Sequence, residues 1–259
     1  MNIVLPIASV VVKEMYRRKD FYVLFVLTAL ITLLAGSVSF FGDNNLAMYV
    51  KEICLALIWI SSLVIAIGPA ARQIPAEREN RTIFPLLAKP VTRGKMILGK
   101  FVGCWAVAGF AMLVLYLFFG VVSGLREQAW PVAHFVQAAL LHWMVLGIII
   151  ALTLLGSVVF SAPSANWTVT LIIVVGILFV GEHLNKVAGR LQEPGSSILR
   201  TIYYVIPHLE WFDIRDLLIY TKPLPPPAAF AGATVYATVY TAFFLYATWL
   251  VFRRKPLSA

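Results

Sequence analysis

The chain has 259 residues, 61% of them hydrophobic and only 13% charged, with a net charge of +9 and a mean hydropathy of +0.87. A soluble domain carries about twice that share of charge. A single water-soluble core would therefore leave large apolar patches on the surface, whereas lipid solvates such surface directly.

Residues 1–20 begin with an apolar stretch and end in a basic one, "IVLPIASVVVKEMYRRKD". This pattern predicts an amphipathic helix along a membrane interface rather than a disordered tail or a cleavable signal. Crossing the hydrocarbon core takes about 20 mostly apolar residues. Phe21–Phe41, Ile53–Ala71 and Phe101–Ser123 each meet that length without a charge. Gln128 to Gly181 contains no Lys, Arg, Asp or Glu and is too long for one crossing. "SAPSAN", Ser161 to Asn166, divides it at a turn, giving a hairpin of Val136–Phe160 and Ala165–Glu182. Ala229–Phe252 completes the set. The expectation is an all-α polytopic membrane protein with six transmembrane helices, an N-terminal interfacial helix (1–20), a transmembrane region (21–252) and a tail (253–259). Lipid supplies no partners for backbone polar groups, so each run should be helical despite its Val and Ile content.

Basic residues set the orientation. With both termini in the cytoplasm, the inner side receives 14 of the 21 basic residues and four of the 12 acids, about +10, and the outer side is close to neutral. The +9 is then an inner-leaflet signature, not a nucleic-acid footprint. "YRRK" and "FRRK", directly beside spans, would contact anionic lipid.

The cysteines, Cys54 and Cys104, lie inside apolar runs and read as buried small side chains, not as a disulfide or metal site. The spans carry no chain of carboxylates for proton coupling and no nucleophile–base pair. The glycines Gly103 and Gly109, in "GCWAVAG", do not have small-xxx-small spacing, so no packing face stands out. Outside, residues 186–228 hold "YYVIPHLEWFDIRDLLIY", whose aromatics suit the lipid–water boundary. One or two short surface helices are expected there. His208, Glu210, Asp213 and Asp216 read as part of a solvated amphipathic element rather than a metal site. "KPLPPP", Lys222 to Pro227, is a stiff connection into the last span.

The remaining stretch, residues 72–100, is crowded with charge between two uncharged spans: "RQIPAERENRTIFPLLAKPVTRGKMILGK". It contains no phosphate-binding loop. Pro75 can open a helix, with Glu77 and Glu79 in its first turns against the helix dipole. Ile83, Phe84, Leu86 and Leu87 lend it an apolar edge beside the charge, as a docking helix needs; an ordinary basic loop on headgroups has the same composition.

This stretch resembles the cytoplasmic loop of the ABC-2 permeases, the membrane-spanning subunits of type-2 ABC transporters. The matching residues are Ile74, Pro75, Glu77, Glu79, Thr82, Leu86, Leu87, Pro90, Val91, Arg93, Gly99 and Lys100; Arg81 stands where glycine is common. The layout of the chain and "IPHLEWFDIRD" are similar as well. The resemblance implies the ABC-2 exporter fold and a coupling helix that inserts into a separate ABC ATPase subunit, in an assembly of two permeases and two ATPases. It makes Pro75, Glu77, Arg78, Glu79, Arg81, Thr82 and Phe84 coupling residues, and Pro90, Arg93 and Lys100 anchors of the loop, the last two at headgroups. It implies no catalytic residue here: ATP and Mg would sit on the ATPase, and this chain would bind no cofactor of its own. The second permease would be a second copy or a related chain, a periplasmic or accessory protein is a further partner, and the setting is the inner (plasma) membrane. Export of a lipid-like, drug or peptide cargo is the leading expectation. The alternatives are transmission of force to a periplasmic partner and a non-transport scaffold.

Overall fold

The structure is a computed structural model, and it describes residues 4–17, 22, 26, 28–30, 32–33, 44–79, 92–128, 130–220 and 223–255. Most of Phe21–Phe41, the first expected span, lies outside the described residues.

The helices follow the apolar runs and extend past them. They are α1 (Val4–Tyr16), α2 (Asn44–Arg72), α3 (Pro75–Glu79), α4 (Arg93–Glu127), α5 (Val132–Val159), α6 (Pro163–Ala188), α7 (Gly195–Val205), α8 (Arg215–Ile219) and α9 (Pro227–Arg254), with a 3₁₀ turn at Leu209–Phe212. Among the described residues, four stretches are long and apolar enough to cross a membrane: Met48–Glu79, Arg93–Leu125, Val132–Val159 and Pro227–Arg254. The span expected from Ala165 to Glu182 falls inside α6.

The punctuation in the sequence has local causes. Thr92 caps α4, its hydroxyl accepting from the Lys95 N–H at 3.4 Å. Pro163 opens α6 and Pro227 opens α9, first-turn positions where a missing N–H costs nothing.

α5 is the centre of the bundle. α9 packs along one side of it, while α2 and α4 pack on it and on each other. Leu55, Ile58, Ile67, Leu115, Leu146 and Ile149 are buried between them, as are Cys54 and Cys104. The outside is also apolar: Phe110, Phe179, Val235 and Phe243 are each more than 60% exposed. Such a surface suits lipid, where the hydrophobic effect does not hold helices together and close packing and polar contacts must.

Three such contacts stand out. Asn166, fully buried, donates to Thr153 O at 3.1 Å and Ala71 O at 3.3 Å and accepts from the Thr170 hydroxyl at 3.2 Å, joining α2, α5 and α6. Trp105 of α4 and Trp143 of α5 stack at 4.3 Å and exchange bonds: each indole N–H donates to the other's backbone carbonyl, at 2.9 and 3.1 Å.

The third is the seat of α1 on α4. A Cβ on Gly99 would lie 2.7 Å from Ile7 Cβ, and one on Gly103 would lie 2.7 Å from Val11 Cβ and 3.0 Å from Ala8 O. Gly99 and Gly103 are four apart, the small-xxx-small pattern one turn before the spacing considered in "GCWAVAG". The contacts advance together along both helices, so α1 runs alongside α4. Replacing Gly103 with alanine is expected to loosen α1 by about 1–3 kcal/mol. The sign to look for is faster hydrogen exchange over residues 4–16 with α5 unchanged.

Candidate functional site at the loop end of the bundle

α2, α5 and α9 all end where α4 begins. Their last carbonyls and negative dipole ends converge there, and cations meet them. Lys100, one full turn and more into α4, carries a side chain only 4% exposed. Its ammonium has three hydrogens and three acceptors: Gln73 O at 3.1 Å, Gln73 Oε1 at 3.0 Å and Glu77 Oε1 at 2.6 Å. Gln73 closes α2, and Glu77 belongs to α3. One buried cation thus fixes the corner between α2 and α3 against α4.

Arg93 does the same for α9. Its Nη1 donates to Phe252 O at 2.5 Å, Arg253 O at 3.0 Å and Lys255 O at 3.3 Å, and its guanidinium lies over the Phe252 ring at 5.3 Å. Lys255 in turn donates to Val158 O at 2.8 Å and Val159 O at 3.2 Å, the end of α5. Ile74, Met96, Ile97, Val158 and Phe252 form a small apolar core beneath these bonds.

The residues singled out in the sequence fall into three groups. Pro75 is buried as the first residue of α3, Glu77 is turned to Lys100, Arg78 is half-buried and Glu79 is exposed. Arg93 and Lys100, expected at headgroups, have partners within the protein. Arg81, Thr82, Phe84 and Pro90 lie outside the described residues. Gln73 and Lys255 were not singled out, although the position of Lys255 just past an apolar run is the usual one for a C-terminal cap.

At the other end, α7, the 3₁₀ turn and α8 are tied to the bundle. The His208 N–H donates to the Tyr236 hydroxyl at 2.8 Å, the Tyr240 hydroxyl donates to Val205 O at 3.3 Å, and the His208 imidazole sits 3.0 Å from Glu210 Oε1. Arg215 lies over the Trp59 ring at 5.6 Å, and its hydrogen bonds to Asp213 raise the guanidinium above its ordinary pKa. Among the described residues no three His, Cys, Asp or Glu side chains gather as a metal site would require.

No curated protein matches the chain. The family model described as "ABC-2 family transporter protein" matches residues 6–257. That span takes in the capped loop end, the tied outer segment and every apolar helix between them, so the chain belongs to the ABC-2 transporter family, as a multi-pass permease component associated with an ABC ATPase subunit.

Proposed function

We propose that this permease couples ATP hydrolysis on the separate ATPase to export of a substrate, and that α3 with the loop after it is where the ATPase grips. The cytoplasm is then the side of α3 and of both termini. The observation that carries the reading is the Lys100 junction. ATP energy reaches a membrane assembly only through a contact that differs between its states. A five-residue helix held loosely would absorb the motion. α3 is bonded through Glu77, and the corner before it through Gln73, to a buried cation on a 35-residue helix, so displacement of α3 is passed to α4, and through Arg93 to α9. The exposed Glu79 and the half-buried Arg78 are left for the partner. Two copies of the chain, or one with a related permease, form the path for a lipid-like, drug or peptide cargo.

The test is purification in mild detergent with the co-purifying ATPase, followed by ATP turnover. Glu79→Lys together with Arg78→Glu is expected to reduce stimulated turnover at least about tenfold, with membrane insertion and the thermal midpoint unchanged. Wild-type turnover in that variant overturns the gripping site. Absence of any ATPase from the purified chain favours a scaffold instead.

A second reading has its own support. The tied outer segment would carry bundle motion outward, as transmission of force to a periplasmic partner needs. A docked protein over residues 195–220 would favour it over solute export.

A further inference from the structure

Residues 205–219 run from α9 to α2 across the end of the bundle away from α3, and the contacts on the two sides differ in kind. On α9 they are directional: the His208 N–H donates to the Tyr236 hydroxyl at 2.8 Å, and the Tyr240 hydroxyl donates to Val205 O at 3.3 Å. On α2, Arg215 lies over the Trp59 ring, 5.6 Å from its centroid, and the rest of α8 packs there beside it. A hydrogen bond fixes both distance and angle, whereas a cation over a ring and apolar packing tolerate sliding.

Both halves of the Arg215 contact are held in place. Trp59 is buried and stacked on His142 of α5 at 4.4 Å, and His142 Nδ1 lies 3.3 Å from the Tyr116 hydroxyl of α4. Arg215 donates to Asp213, from Nε to Oδ1 at 2.8 Å and from Nη2 to Oδ2 at 2.6 Å. The pair is neutral overall and leaves the flat face of the guanidinium for the indole. At 1.5 Å per residue, His142 lies about 15 Å along α5 from Val132, and Tyr116 about 16 Å along α4 from Glu127. The ring under Arg215 therefore sits inside the bundle, beside stretches of α4 and α5 that carry no Lys, Arg, Asp or Glu. Charge placed there is costly and marks a functional position.

We propose that residues 205–219 travel with α9, and that Arg215, seated on Trp59, is the positioning residue that sets where they rest on α2. This rests on the reading that α3 links the chain to the ATPase. α2 leads directly into the corner with α3, whereas α9 is reached from α3 through α4 and Arg93. Displacement of α3 therefore shifts α2 and α9 by different amounts. The difference is taken up where the contact can slide: the segment changes its register on Trp59 and keeps its bonds to Tyr236 and Tyr240.

The experiment is hydrogen exchange read by mass spectrometry over residues 203–209 and 213–219. In the full chain alone, Trp59→Leu is expected to speed exchange over 213–219 about tenfold. Asp213→Asn with Arg215→Gln, which leaves no orphan charge, should do the same. All three changes together should be no worse than either variant, because they remove one shared contact. Wild-type exchange in both variants, or effects that multiply on combination, overturns the role of Arg215. In the complex with the co-purifying ATPase, a non-hydrolysable ATP analogue with Mg should speed exchange over 213–219 and leave 203–209 unchanged. Equal change in both segments, or no change in a complex that hydrolyses ATP, overturns the sliding. A complex with no ATP turnover removes the link to the ATPase instead, and the role of Arg215 still stands or falls on the variants measured in the chain alone.

Discussion

Lys100→Ala is expected to cost the protein about 3–5 kcal/mol, the range seen when one partner of a buried ion pair is removed. The ammonium satisfies three acceptors at once, and none is well placed to turn to water: Gln73 is 5% exposed and the Glu77 side chain 19%. Its removal leaves a carboxylate at the end of α2, where the helix dipole is also negative. Glu77→Ala should be comparably severe for the opposite reason, because a buried cation then loses its counter-charge. Glu77→Gln keeps an acceptor for the ammonium and should fall between these and wild type. Thermal unfolding in detergent should show a drop of roughly 6–12 °C for Lys100→Ala, and limited proteolysis should cut residues 72–93 first. A midpoint within about 2 °C of wild type would mean that the junction is not tightly held. Because this junction carries the coupling proposal, a stable Lys100→Ala protein with normal ATP-coupled turnover would also remove the path from α3 to α4.

The Trp105–Trp143 pair gives a prediction with a built-in control. A Cβ on Gly109 would collide with the Trp143 indole, whereas one on Gly147 would lie 3.2 Å from Trp105 Nε1. Each tryptophan is four residues before a glycine of its own helix and covers the glycine of the other. In Gly109→Ala the Trp143 ring has to move, giving up its bond to Trp105 O and the stack. The expected cost is about 2–3 kcal/mol, a typical overpacking penalty with one buried hydrogen bond added. Gly147→Ala asks Trp105 for only a few tenths of an ångström, and the helix gains about 1 kcal/mol from alanine over glycine. It should be close to neutral. Tryptophan fluorescence and unfolding in detergent separate the two; equal effects would show that the contacts at the two glycines do not differ in practice.

The apolar spans could be read in the sequence because each helix had to be long, uncharged and helical to survive in lipid. Ile53–Ala71, Phe101–Ser123 and Ala229–Phe252 fall inside helices of the structure, and Val136–Phe160 runs one residue past the end of α5. Helix ends were harder. α4 runs to Glu127 and α2 begins at Asn44, because charged residues continue a helix beyond the lipid as readily as they end it. The charged loop was conspicuous, but its composition did not say whether its cations face headgroups or carbonyls. Lys100 and Arg93 chose carbonyls because three helices end beside them, which is a property of topology. Gly99 and Gly103 were legible in principle, since a spacing of four on an apolar helix is the known pattern; "GCWAVAG" begins only at the second of the pair. Trp105 and Trp143 were not legible, since their pairing depends on the relative rotation of α4 and α5, and no local pattern encodes that.

Both native thiols are shut away, Cys54 at 2% and Cys104 at 1% exposure. The chain is therefore already a quiet background for maleimide chemistry, with no need to engineer its sulfur out. A single reporter in place of Glu79, probed with an impermeant reagent in sealed vesicles of either sidedness, would read out directly which compartment α3 faces.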